Sequence, residues 1–146
     1  MPQTFEILPI GMVRKEDDTT VWIDIAPEYE QGLLGLENFS HITVLYWFDR
    51  NDTPEQRRIL RVHPRKNKAN PLTGVFATHA PVRPNPIALT ICKLLSVQGR
   101  RLRIETIDAL DGSPVVDIKA YIPPKGEELE ARVPVWVRQG ENDQRE

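Results

Sequence analysis

The sequence predicts a mainly β protein, a small closed or partly open β-barrel with a few short helices. Three observations lead there: apolar and polar residues alternate along several short runs, 13 prolines punctuate a chain of 146 residues, and helix signals are sparse. Proline lacks the N–H that helix and sheet interiors need, so this many prolines favour strands joined by stiff loops. About eight short strands with few edges to spare suggest a sheet that closes or curls strongly.

The elements follow in order. Val21–Ile25 puts Val21, Ile23 and Ile25 on one face, and residues 102–107 alternate similarly. Residues 41–48 are apolar at nearly every position, as a strand covered on both faces would be, and residues 87–97 make another long strand. Residues 32–38 predict a helical turn, while Thr53, Pro54 and Gln56 supply an N-cap, an N1 proline and an N3 glutamine. Turn residues at 49–52, at Gln98 and Gly99, and at 111–114 separate apolar segments. The length suits one domain, with the barrel over residues 1–124 and a charged extension over 125–146. In that extension the apolar stretch 133–137, with Trp136, is expected to dock on the barrel or a second subunit, and the end to fray.

Composition excludes some classes. With 40% hydrophobic and 27% charged residues the chain can build one core. Its longest uncharged apolar run, residues 42–48, falls far short of the roughly 20 residues of a membrane-spanning helix, so no membrane partner is expected. The first residues lack the basic and apolar regions of a secretory signal, and the expected location is cytoplasmic. The lone Cys92 sits among apolar neighbours, which suits a reducing compartment and packing rather than catalysis.

A net charge of −2 conceals a local bias: Arg57, Arg58, Arg61, Arg65, Lys66 and Lys68 fall in a stretch without an acid. Such a stripe is the footprint of contact with a phosphate backbone, although a solvated surface looks the same on charge alone. Residues 74–90 stand out next. Pro81, Pro84 and Pro86 stiffen a loop that projects Arg83, a planar fork suited to phosphate or carboxylate, and Asn85. Rigidity lowers the ordering cost of binding, yet a stiff structural connector reads identically. His41, His63 and His79 have no metal-ligand spacing, and no metal is expected. His63 lies in the basic stripe, as a ligand contact would. Asp108, Asp111 and Asp117 gather around a tight turn, where each suits hydrogen bonding to a ribose, general-base work or turn capping. Neither common glycine-rich nucleotide-binding pattern is present.

Five ordered blocks carry a resemblance: residues 32–42 (GLLGLENFSHI), 62–65 (VHPR), 74–78 (GVFAT), 83–87 (RPNPI) and 108–119 (DALDGSPVVDIK). The chain resembles the TsaA-like family of tRNA methyltransferases from about Pro9 to Pro123. The resemblance implies a β-barrel enzyme that works as a homodimer, uses S-adenosylmethionine and methylates N6 of threonylcarbamoyladenosine at position 37 of tRNA. By motif it implies cofactor contacts at Asp49, Arg50, His79, Leu89, Ile107, Asp108, Ala109 and Leu110. There are two departures: His79 stands where the family usually has arginine, and residues 14–20 lack the Pro-Gly-containing loop of bacterial relatives.

Methyl transfer to a urea-like N6 needs alignment and removal of a proton. Asp111 or Asp117 is the expected base, with Asn85 and Arg83 orienting substrate and His63, Arg65, Lys66 and Lys68 holding tRNA phosphates. The alternatives are a non-catalytic S-adenosylmethionine- or RNA-binding module of the same barrel and, further off, a metal-dependent hydrolase.

Overall fold

The computed structural model of the chain describes residues 2–123, so the extension 125–146 and Trp136 lie outside the described residues. Its contacts divide the chain into two units. One combines Met1–Phe48 with Ile87–Tyr121; the other holds Asp49–Pro86.

The first unit is a closed antiparallel barrel of six strands in the order β1-β2-β7-β6-β3-β8. These are β1 (Gly11–Lys15), β2 (Val21–Ile25), β3 (His41–Trp47), β6 (Ile87–Gln98), β7 (Arg101–Ile104) and β8 (Pro114–Ala120). The predicted alternation in β2 holds: Val21, Ile23 and Ile25 are buried in one core with Val13, Ile42, Val44, Leu102, Ile104 and Val115. On the opposite face of β2, Trp22 is covered from outside by Arg101, whose guanidinium carbon lies 4.1 Å from the ring centroid. Arg101 also bonds Asp24 at 2.8 Å, tying β7 to β2.

One expectation is corrected. Residues 41–48 read as a strand covered on both faces, but β3 alternates: Ile42, Val44 and Tyr46 are buried while His41, Thr43, Leu45 and Trp47 are half-buried. A single-layered barrel covers only the inner face of its strands, and apolar residues remain on the outer one.

β8 closes the barrel, pairing with β1 through Gly11↔Val115 and with β3 from Ile42↔Ala120 to Tyr46↔Val115. A bulge between Leu45 and Tyr46 shifts the β3–β8 register and adds the local twist that closure requires. Gly11 is needed where strands crowd, since a Cβ there would run into the Asp24 carbonyl oxygen. The β1–β2 connection closes on Asp17, whose Oδ1 accepts from Thr19 N at 2.8 Å, Thr19 Oγ1 at 2.9 Å and Thr20 N at 2.8 Å. The bonds from Thr19, then those from Thr20, favour the ionised carboxylate and hold its pKa below the ordinary value. Gly99, at φ +60, makes the tight β6–β7 turn that the sequence signalled.

The expected helical turn over 32–38 is two 3₁₀ turns, Pro27–Leu33 and Leu36–Asn38, broken by Gly35 at φ +86. They line the end of the barrel at which β2 finishes and β3 begins.

The second unit is an insertion between β3 and β6. The chain leaves after Phe48 and returns at Ile87, and Trp47 and Ile87 are register partners. Within it, helix α1 (Pro54–Arg57) starts as read, with Thr53 Oγ1 accepting from Gln56 N at 3.2 Å. A two-stranded ribbon follows, β4 (Arg61–Val62) with β5 (Thr73–Gly74).

Two outcomes are expected. Gly11→Ala forces β1 from β2 and lowers stability by about 1–3 kcal/mol, read as a drop in Tm. Burial pushes the Cys92 thiol up from 9.0 to about 12. The native chain therefore resists iodoacetamide at pH 8 while the urea-unfolded chain is alkylated, as mass spectrometry will record. Because the folded value is raised, the thiol's contribution to stability is complete below pH 9 and falls as pH climbs towards 12.

Candidate functional site

The loop between β7 and β8 carries most of the barrel's sequence-expected site residues, and its position follows from strand direction. β1 and β3 both run antiparallel to β8, so both point towards the end of the barrel at which this loop lies. Lys15, the last residue of β1, binds the loop twice: its backbone N–H donates to Asp111 Oδ1 at 2.8 Å and its Nζ to the Ile107 carbonyl at 2.9 Å. Gly112, at φ +85, turns the chain and donates to the Val13 carbonyl at 2.8 Å. Ser113 Oγ donates to the Leu110 carbonyl at 2.7 Å.

The side chains of Ile107 and Ala109 are buried in the core, so these two residues offer backbone groups, whereas Asp108 is half-buried and Leu110 exposed. Leu89, 60% exposed, lies on the outer face near the start of β6. Lys15 was missed by sequence reasoning. Its signal is a register, and no local pattern marks a lysine 92 residues from the carbonyl it holds.

The two candidate bases are separated. Asp111 lies beside Lys15, whereas Asp117 is opposite Leu45 on β8 and lines a cavity at the other end of the barrel with Ile10, Ile25 and Leu33. Asp117 Oδ1 accepts from Ile118 N at 2.9 Å and its Oδ2 pairs with Lys119 at 3.5 Å. Side chains alternate along β8 and the turn stands between, so one loop does not present both carboxylates.

The remaining residues belong to the insertion. Arg57, read only as part of the basic stripe, is its clamp: Nε donates to the Pro84 carbonyl at 2.7 Å, Nη2 to Asn85 Oδ1 at 3.1 Å and Nη1 to Asp52 Oδ1 at 3.3 Å. The planar fork thus orients the Asn85 amide, and with Oδ1 accepting, its NH₂ is the donating group. Arg83 Nη1 donates to the carbonyls of Thr78 at 3.2 Å and Ala80 at 3.0 Å. Those residues flank exposed His79, so a permanent cation lies in the loop although position 79 itself is not arginine.

The basic segment has its own frame. His63 Nδ1 is 2.9 Å from the Asn70 carbonyl, and because a carbonyl only accepts, Nδ1 bears the proton and Nε2 is the acceptor of the neutral ring. Asn70 Nδ2 donates back to the Pro64 carbonyl at 2.9 Å. Arg65 and Lys66 take left-handed backbone, at φ 57 and 56, which non-glycine residues adopt only when their surroundings enforce it. Lys66 and Lys68 are exposed and Arg65 is half-buried. Asp49 and Arg50 form a 3₁₀ turn, Asp49–Asn51, with both side chains exposed. The stripe is therefore spread over α1, β4 and the loop after it. Among the described residues no three His, Cys, Asp or Glu side chains form a metal-ligand group, and no helix is long and apolar enough to cross a membrane. His41 bonds Ser40 Oγ at 2.8 Å and stacks edge-on with Tyr121.

The class so defined is a closed antiparallel barrel with an anchored polar loop at one end and a clamped, cation-bearing insertion, unlike the glycine-rich α/β nucleotide binders. The chain belongs to the family described as the tRNA-methyltransferase O N-terminal domain, whose sequence model matches residues 8–125. It is 49% identical over 119 residues to a probable S-adenosyl-L-methionine-binding protein of Pyrococcus horikoshii, covering 82% of this chain and 84% of the relative. It is 44% identical over 93 residues to the tRNA (adenine(37)-N6)-methyltransferase of Mus musculus, covering 64% of this chain but 21% of the mouse protein. The crystal structure of TrmO from Pseudomonas aeruginosa matches with a TM-score of 0.70 at 28% identity, over 93% of this chain and 63% of that one. The chain thus spans under two thirds of the solved TrmO.

Arg57→Ala frees the Pro84 carbonyl and the Asn85 amide. We expect at least tenfold faster amide exchange over residues 82–87 with little change in the barrel's exchange, followed by hydrogen–deuterium exchange mass spectrometry.

Proposed function

We propose that the chain transfers a methyl group from S-adenosylmethionine to N6 of threonylcarbamoyladenosine at position 37 of tRNA, acting as a cytoplasmic homodimer. Membership of the tRNA-methyltransferase O family supports the reaction class, and the similarity to an S-adenosyl-L-methionine-binding protein and to a tRNA (adenine(37)-N6)-methyltransferase supports the cofactor and the tRNA substrate. The observation that carries the reading is the 107–111 loop, anchored by Lys15, in which the resemblance assigns residues 107–110 to the cofactor.

The groups on offer fit the cofactor's chemistry. A ribose, a sulfonium and an α-ammonium call for acceptors, and an adenine calls for an apolar flank beside backbone groups. On the barrel, the carboxylate of Asp108, the backbone of Ile107 and Ala109, and apolar Leu110 and Leu89 meet those needs. On the insertion the resemblance adds Asp49, Arg50 and His79. When bound, the cofactor supplies an electrophilic methyl carbon that departs from a sulfonium and leaves a neutral thioether.

The chain's own residues position and deprotonate. Asn85, oriented by Arg57, donates its amide N–H to a carbonyl oxygen of the modified base. Asp111 accepts the N6 proton as the N–CH₃ bond forms; its fixed position beside Lys15 favours it over Asp117. Arg83 holds the loop bearing His79 through two carbonyls. Its part is therefore to position that loop as well as to orient substrate. His63, Arg65, Lys66 and Lys68 contact tRNA phosphates, with electrostatic attraction drawing the polyanion to the basic segment.

Nucleoside mass spectrometry of tRNA incubated with the chain and S-adenosylmethionine tests this. The expected result is a threonylcarbamoyladenosine peak heavier by one methyl group. Cofactor affinity without that shift would establish a binding module instead. The double variant Lys66→Gln, Lys68→Gln is expected to raise KM for tRNA about tenfold with kcat retained, and to flatten the salt dependence of binding by about 1–2 units of slope.

A further inference from the structure

Residues 2–9 precede β1 as an arm without helix, strand or turn, and no hydrogen bond joins them to another described residue. The arm carries bare apolar side chains: Phe5 is 81% exposed, Ile7 52% and Leu8 64%. Large apolar groups in such a row, outside the core and uncovered, mark a surface that another body covers.

A cavity of about 640 Å³ opens at the end of the barrel opposite the 107–111 loop, directly beside Ile10, where the arm joins β1. Ile25, Leu33, Ile118 and Tyr29 give it an apolar wall, while Phe39 and Leu34 form its lip, Leu34 being 94% exposed. The cavity is large enough for two big side chains. The arm of the same chain does not fill it, as the exposure of Phe5 and Ile7 shows. Pro9 fixes its own φ and biases Leu8 to extended backbone, which stiffens the arm where it joins β1.

We infer that the arm of one copy seats Phe5 and Ile7 in this cavity of a second copy, and that the second copy's arm does the same in return. The inference rests on the homodimer proposed above and names how its halves are joined. In an extended arm Phe5 and Ile7 share a face, while Glu6 faces the other way, clear of the Glu28 and Asp117 carboxylates that also line the cavity. An aromatic side chain such as Phe5 buries on the order of 150–250 Å², and Ile7 less. Two such pairs, with the walls they meet, cover about 1,000 Å² across the two-fold axis, the area at which specific interfaces begin. Both complementary surfaces lie on one chain, so exchange closes on itself and gives a dimer rather than a filament.

The test compares the full chain with an arm variant, Phe5→Ser with Ile7→Ser, and a cavity variant, Gly32→Phe. Gly32 lines the cavity and an added Cβ there meets nothing within 4 Å, so a side chain is accommodated at its wall. Analytical ultracentrifugation is expected to show a dimer for the full chain and at least a tenfold weaker one for each variant, with Tm little changed. Mixing the two variants is expected to recover part of the association, since one intact arm then meets one intact cavity. A second probe is Phe5→Cys on one tagged chain and Leu34→Cys on another, expected to yield an inter-chain disulfide. A dimer that survives the arm variant overturns the exchange and leaves the homodimer standing; a monomeric full chain overturns both. Methyl transfer, assayed alongside, reports separately on the proposed reaction.

Discussion

Barrel closure through β8 is the constraint on which the rest depends. A six-stranded sheet of such short strands is stable only if its last strand finds both the first and the third, and β8 does so through Val115, which pairs with Gly11 and Tyr46. Close approach of β1 to β2 at Gly11, where no Cβ fits beneath the Asp24 carbonyl, lets the ring tighten. Closure also decides where chemistry is possible: once β8 lies against β1, the loop before it must pass the end of β1. Lys15 then captures it by backbone and side chain together.

The insertion solves a different problem, that of holding polar groups still without a large core. It does so with arginines bound to carbonyls. Arg57 joins α1 to Pro84 and Asn85, and Arg83 joins the 83–86 segment to Thr78 and Ala80. Charge-assisted bonds from a planar fork resist rotation more than single neutral bonds, and the prolines remove backbone freedom beforehand. Left-handed backbone at Arg65 and Lys66 belongs with this pattern, since a strained turn persists only where its neighbours enforce it. A loop so prepared is stiff before any ligand arrives.

The two ends of the barrel are built differently. One end gathers the 107–111 loop, the finish of β3 and the start of β6; the other has an apolar cavity walled by core residues and 3₁₀ turns. Separating the two suits a small domain, because side chains that face inward at mid-barrel are already fully used in packing. The family comparison fits this division, since the match over residues 8–125 includes both ends while the arm lies almost entirely outside it.

Much was legible in the sequence because it is encoded locally. Alternation at Val21, Ile23 and Ile25, the Thr53 cap and the turns at Gly99 and Gly112 each depend on residues only a few positions apart, and each appears where it was read. The ordered motifs identified the family for the same reason. That only the inner face of β3 is fully buried was not legible, because an apolar run does not say whether one layer or two will cover it. Nor were the clamps: Arg57 resembled its stripe neighbours until folding brought Pro84 and Asn85 to it, and Lys15 had no mark at all. Asp111 and Asp117, six positions apart and equal as candidates on paper, were sent to opposite ends of the barrel by the register of β8. The sequence by itself determined the strands, the turns and the chemical groups on offer; the tertiary structure alone decided which groups meet, because strand register and closure act between residues that no local pattern relates.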